Sequence, residues 1–258
     1  MAKPTPRVLD VKGIVDITPN MRRITLGGEG MHDFPVDQES AYIKLIFPQE
    51  EGRKPNMRTY TIIQQRDDEI DVDFVLHGSD PEGEQGQKSH KGLASHWAKT
   101  TEIGDSILVG GPGAKKIINN EADWFLLVAD MTALPAVTVN LAQLPDDAEG
   151  YAVIEVISEA DIQPLEKPKN IDIHWIVNPV VTDSHSPLLE RVKMLTWLAG
   201  AVSVWAACEF NSMRALRHYF KQEKEVAKTH LYISSYWKLD NSENEHKVIK
   251  RQDAESDL

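Results

Sequence analysis

Two hydrophobic rhythms divide this chain. Up to about residue 110, apolar and polar residues alternate, the period of strands with one wet face and one dry face. The alternation runs through residues 7–15, 21–26, 41–47, 58–63, 70–76 and 106–109. Glycine and proline interrupt it at Thr18-Pro19-Asn20, Gly27-Gly28-Glu29-Gly30 and Gly110-Gly111-Pro112-Gly113, as turns do. Six short strands predict a small antiparallel barrel. Only residues 92–99 have helical spacing in this half, and residues 78–91 have the polar, glycine-rich composition of a surface loop.

Near residue 120 the rhythm changes. Residues 124–129 (WFLLVA) are unbroken apolar sequence, as in a strand covered on both faces. Residues 132–144 follow with helical spacing, and Thr132 is the expected N-cap. Strands are expected at 151–157, 171–177, 202–207 and 230–235, with helices at 187–198 and 211–227. Strands alternating with helices make a parallel sheet, which binds ligands at the carboxyl ends of its strands. The expected fold is therefore β plus α/β. A six-stranded antiparallel barrel spans 1–120, a parallel-sheet domain spans 121–238, and a polar tail spans 239–258 as a surface helix or a frayed end.

Composition narrows the function. The chain has 258 residues, with 28 basic and 40 acidic side chains and a net charge of −12. That opposes a general nucleic-acid binder, which needs a cationic face. No apolar run approaches the roughly 20 residues of a membrane helix, and the N-terminus reads as lacking an apolar signal segment. A cytoplasmic monomer with no membrane partner is expected. The lone Cys208 makes no internal disulfide and no cysteine-rich metal site, and the nine histidines are scattered, so no metal is expected. Residues 1–120 hold 15 basic and 18 acidic residues, a net of −3, and residues 121–258 hold 13 and 22, a net of −9. Basic residues concentrated in the first half of an acidic protein raise the question of an anionic ligand.

The chemistry-bearing residues are few. Gly28-Glu29-Gly30 and Gly111-Pro112-Gly113 each begin a glycine fingerprint, but both lack the third glycine and read as turns. Arg58-Thr59-Tyr60-Thr61 lies on one strand, with Arg58 and Tyr60 on one face and Thr59 and Thr61 on the other. An arginine can clamp a pyrophosphate and a tyrosine can lie on an aromatic ring, although the same residues suit an ordinary strand. Downstream, Leu76-His77-Gly78 ends a strand. Gly92-Leu93-Ala94-Ser95 opens a helix, whose free N–H groups form either an anion site or an ordinary helix start.

Taken in order, these pieces resemble the siderophore-interacting proteins, FAD-dependent ferric-siderophore reductases of the ferredoxin–NADP reductase superfamily. The likeness continues through Asp130-Met131-Thr132-Ala133-Leu134-Pro135-Ala136, Trp205-Ala206-Ala207-Cys208-Glu209, Met213-Arg214-Ala215-Leu216-Arg217 and Tyr236-Trp237-Lys238. It departs from the family pattern at Met131, at Cys208 and Ser235 where glycine is usual, and at Lys238 where arginine is usual.

The resemblance implies an FAD-binding barrel and an NAD(P)H-binding α/β domain. Arg58, Thr59, Tyr60, Thr61, Leu76, His77, Gly78, Gly92, Leu93, Ala94 and Ser95 would hold FAD. Thr132, Ala133, Leu134, Pro135 and Glu209 would face NAD(P)H. Lys44, Lys115 and Lys238 would attract an anionic ferric siderophore, and Tyr236 and Trp237 would cover the flavin or pack between domains. A flavin matches a hydride donor to iron(III), which accepts one electron at a time. Residues 155–161 (EVISEAD) are acidic and carry no cation, which favours NADH over NADPH, while Arg214 or Arg217 could still meet a 2′-phosphate. Reduced ferredoxin is a further candidate donor. A general flavin reductase, a ferredoxin-fed flavoprotein and a non-catalytic siderophore-binding module are the alternative functions.

Overall fold

The structure is a computed structural model, and it describes residues 5–47, 55–76, 92–182, 185–241 and 243–256. His77, Gly78 and the polar stretch 78–91 lie outside the described residues. The chain divides into two compact units, Met1–Lys116 and Ile117–Leu258.

The first unit is a closed barrel of six antiparallel strands in the order β1-β2-β5-β4-β3-β6. The strands are β1 (Arg7–Thr18), β2 (Met21–Gly27), β3 (Tyr42–Phe47), β4 (Asn56–Gln65), β5 (Glu69–Val75) and β6 (Ser106–Gly110). Alternation did what it promised. Ile43 and Leu45 of β3, and Ile70, Val72 and Phe74 of β5, are fully or almost fully buried and share one core. Burying each such side chain is worth about 1.5–3 kcal/mol, which fixes the strand register, since a one-residue slip would turn this whole set outward. Helix α1 (Leu93–Thr100) sends Ala94 and Ala98 into the same core.

The second unit is a five-stranded parallel sheet in the order β11-β10-β7-β8-β9. Its strands are β7 (Trp124–Ala129), β8 (Glu149–Val156), β9 (Asn170–Val177), β10 (Val202–Glu209) and β11 (Leu231–Trp237). Every residue of β7 and β10 is buried, as their apolar runs require. The chain builds outward from β7 through β8 to β9, then returns to lay β10 on the other side of β7. The boundary between β7 and β10 is therefore the topological switch point, where such sheets open a ligand crevice.

Three helix expectations change. Helix α2 (Leu134–Ala142) begins after Ala133, so Thr132 is not its N-cap; the Thr132 hydroxyl is drawn instead to Asp130. Helix α3 (Pro187–Met194) is shorter than its apolar pattern. Helix α4 (Phe210–His218) continues only as a wide turn over Tyr219–Glu223. The tail contains helix α5 (Glu243–Ser256), which packs on β11.

Candidate functional site

The barrel brings most of the expected FAD residues onto neighbouring elements. In the β3–β4 register, Arg58 pairs with Leu45 and Tyr60 with Ile43, both fully buried, while Thr59 pairs with Lys44 and Thr61 with Tyr42. Arg58 and Tyr60 thus share the core-facing side of β4, and Thr59 and Thr61 the outer side. Tyr60 is half-buried, and its ring lies against Phe74 at 4.3 Å between centroids. Phe74 in turn meets Trp97 of α1 at 5.5 Å. Leu76 and Leu93 pack on the same core edge, so the end of β5, the start of α1 and Tyr60 lie around one rim of the barrel.

Gly92 takes the left-handed conformation (φ 81°), with open space where a Cβ would stand, and no side chain caps α1. Only glycine holds this backbone without strain. The helix N-terminus therefore offers its N–H groups and dipole to a ligand. A cation at Arg58, an aromatic face at Tyr60 and an uncapped helix start suit a flavin carrying a pyrophosphate.

The outer face of β3 adds a residue that sequence reasoning missed. Tyr42 lies over Gly113, where a Cβ would stand 2.0 Å from the ring. The Tyr42 carbonyl accepts the Gly113 N–H at 2.7 Å. Lys44 Nζ lies 5.9 Å from the Tyr42 ring centroid, and its strand neighbours are Thr59 and Gly110. Lys115 is exposed two residues beyond Gly113. The period of Tyr42-Ile43-Lys44 already placed Tyr42 beside Lys44; only the pairing of Tyr42 with a distant glycine was hidden.

In the α/β unit the residues expected to face NAD(P)H gather at the carboxyl edge of the sheet. Asp130, directly after β7, is buried. Its carboxylate accepts the Thr132 N–H at 2.9 Å, the Thr132 hydroxyl at 2.6 Å and the Trp237 indole N–H at 2.7 Å, with the Glu209 N–H as a further donor. Burial raises its pKa against these hydrogen bonds. Glu209, the last residue of β10, accepts from Asn211 N, Ser212 N and Leu239 N, so it caps α4 and holds the chain that leaves β11. Asp130 and Glu209 therefore flank the switch point. The expected Thr132–Pro135 turn occupies the same edge.

Glu155 of β8 completes a trio of carboxylates. It is buried and accepts one hydrogen bond, from Asn178 at 3.1 Å. Burial, and then the charge of Asp130, push it up to about 7. Of the acids proposed to meet a ribose, Asp161 is buried and already accepts the Ser158 N–H and hydroxyl, while Glu159 is exposed. Arg217 forks onto Asp253 of α5 at 2.7 and 3.0 Å, and Arg214 reaches the same carboxylate at 3.2 Å. Cys208 is fully buried, and burial, with the three nearby carboxylates, holds its thiol far above the usual range. Tyr236 packs edge-on to Trp205 at 6.4 Å, Trp237 is tied to Asp130, and Lys238 Nζ lies 4.9 Å from the Phe210 ring centroid. Among the described residues no group of three or more histidine, cysteine or carboxylate side chains is placed to hold a metal.

A closed antiparallel barrel followed by a parallel five-stranded sheet is the architecture of ferredoxin-reductase-like flavoproteins. Within that class, a model of the siderophore-interacting FAD-binding domain matches residues 10–56 and 49–116, and the siderophore-interacting protein model matches residues 122–240. The chain is 30% identical to the ferric vibriobactin reductase ViuB of Vibrio cholerae, over 92% of this chain and 91% of that one. The siderophore-interacting protein SipS of Aeromonas hydrophila is 29% identical, with a TM-score of 0.82 and coverage of 97% of this chain and 98% of its own. An NADPH-dependent ferric-chelate reductase of Escherichia coli is 23% identical, over 90% and 92% of the two chains. This chain belongs to the siderophore-interacting protein family.

Proposed function

We propose that the chain is an FAD-dependent ferric-siderophore reductase that draws electrons from NADH in the cytoplasm. The observation that carries this reading is that both parts of an electron relay stand on one chain: a barrel rim fitted for FAD and a parallel sheet with its switch point lined by the expected donor residues. FAD, when bound, supplies the conversion of a two-electron hydride into single electrons.

The protein supplies position and charge. Arg58 and the start of α1, Gly92 to Ser95, meet the pyrophosphate, while Tyr60, Thr59, Thr61 and Leu76 line the flavin. The Thr132–Pro135 turn and Glu209 receive the nicotinamide nucleotide. Glu159 lies in a stretch of this edge that carries no cation, and Arg214 and Arg217 are engaged by Asp253. These two features favour the free ribose hydroxyls of NADH over a 2′-phosphate. Lys44, Lys115 and Lys238 draw in an anionic iron(III) chelate, whose iron leaves as weakly held iron(II) after electron transfer.

Purified protein tests this directly. A yellow protein that NADH bleaches and a ferric siderophore re-oxidises, with iron(II) trapped by a chelating dye, is the expected result. A protein that refuses FAD overturns it. One that takes FAD but is reduced only by ferredoxin overturns the NADH assignment alone.

A further inference from the structure

Three residues of helix α5, spaced i, i+4, i+7 on one face, make polar contacts with the body of its unit. His246 Nε2 meets the Ser235 hydroxyl at 2.8 Å. Lys250 Nζ donates to Ser234 Oγ at 2.6 Å and to the Ser235 carbonyl at 2.8 Å. Asp253 takes the two arginines of α4. His246 and Lys250 grip Ser234 and Ser235, the strand residues just before Trp237 and Lys238. Ser235 stands where the family pattern usually has glycine, so the hydroxyl that His246 meets is a feature of this chain.

His246 also reaches Lys238 by a second route. It is 4% exposed, and its ring packs edge-on to Phe210 at 6.2 Å. The Lys238 ammonium lies on that same Phe210, 4.9 Å from the centroid. Burial, and then Lys250, Lys238 and Lys247, hold His246 down at about 4, so at neutral pH it braces Phe210 without adding a positive charge beside Lys238.

We propose that His246 is a positioning residue for Lys238. Through Ser235 and Phe210 it fixes the end of β11 and seats the ammonium where an anionic iron chelate is drawn. The inference rests on the substrate role given above to Lys238, and the experiment separates the two. FAD-loaded wild type, H246A, S235A, K238A and the H246A/K238A double variant are titrated with a trianionic ferric tris-catecholate and with an uncharged ferric tris-hydroxamate. Quenching of flavin fluorescence reports binding without turnover.

K238A and H246A should each weaken binding of the trianion roughly three- to tenfold and of the uncharged complex less than twofold. The double variant should bind no worse than K238A, because His246 acts through the lysine. S235A should show a smaller loss in the same direction, and it decides the matter if H246A does not fold. Additive losses, or losses in H246A that are equal for both complexes while those of K238A are not, overturn the inference and leave the lysine's role standing. No effect of K238A removes both the lysine's role and this inference, and leaves the reductase reading to its own test.

Discussion

The two units treat buried carboxylates in opposite ways. In the barrel, Asp71 and Asp73 of β5 are buried but each meets an arginine fork. Arg66 reaches Asp71 at 2.8 and 2.9 Å, and Arg23 reaches Asp73 at 2.7 and 2.9 Å. In the parallel sheet, Asp130, Glu155 and Glu209 are buried, and their partners among the described residues are N–H, hydroxyl and indole donors. The barrel pairs belong to the outer wall and hold strands together. Burying Asp130 and Glu155 without a cation beside the switch point raises the pKa of both, a cost that folding alone does not require, and perturbed acids of this kind collect at functional sites.

The sharpest way to break that contrast is D130A. It strands the Thr132 N–H, the Glu209 N–H and the Trp237 indole in a buried place. Urea unfolding should show a loss of about 3 kcal/mol, with the affinity for the proposed donor, NADH, falling alongside. D130N keeps an acceptor and should lose less. A D130A protein as stable as wild type would mean that Asp130 joins nothing together.

Glu155 should give an effect of opposite sign. Its native pKa, about 7, lies above its usual value of 4.5. The native state therefore binds a proton that the unfolded chain has released, and stability falls as pH rises from about 4.5 through 7. E155Q removes the penalty. It should stabilise the protein by roughly 2 kcal/mol at pH 8 and change nothing at pH 4, read from denaturation midpoints at the two values. A pH-independent gain would show that volume or hydrogen bonding, not charge, was relieved.

How much of this was legible in sequence differs between the units for a physical reason. Barrel strands announce themselves by alternation, and Ile43, Leu45, Val72 and Phe74 stand inside as the period of 41–47 and 70–76 requires. The placement of Thr59 and Thr61 on the face opposite Arg58 and Tyr60 followed from the same period. Helix limits were less legible, because α3 and α4 end while apolar residues continue: Leu195, Leu198 and Val226 pack on the core from irregular chain. Asp130 was visible as part of a motif, yet its bonds to Trp237 and Glu209 join residues some 80 to 110 positions apart, which no local pattern encodes. The tail was read as polar, either a surface helix or a frayed end. Its helix is held by His246, Lys250 and Asp253, and polar residues at helical spacing look alike whether they dock or face water.

The smallest effect belongs to the barrel's ion pairs, and its size and sign both test the comparison. Burial pushes Asp71 up, but the Arg66 and Thr25 hydrogen bonds and the charges of Arg66 and Arg23 outweigh it, so its pKa is lowered. The stabilisation is thus present above the carboxylate's ordinary pKa of 3.8 and is lost as pH falls through the lower native value. D71N should cost about 1 kcal/mol at pH 7, because Arg66 is 38% exposed and water screens the pair. Added salt should shrink that cost, and acid should abolish it. E155Q is expected to move stability the other way at neutral pH and above, its effect growing as pH rises from about 4.5 through 7. If both variants destabilise at pH 8, the carboxylate edge of the sheet is held together as the barrel wall is, and its reading as a binding edge loses its electrostatic support.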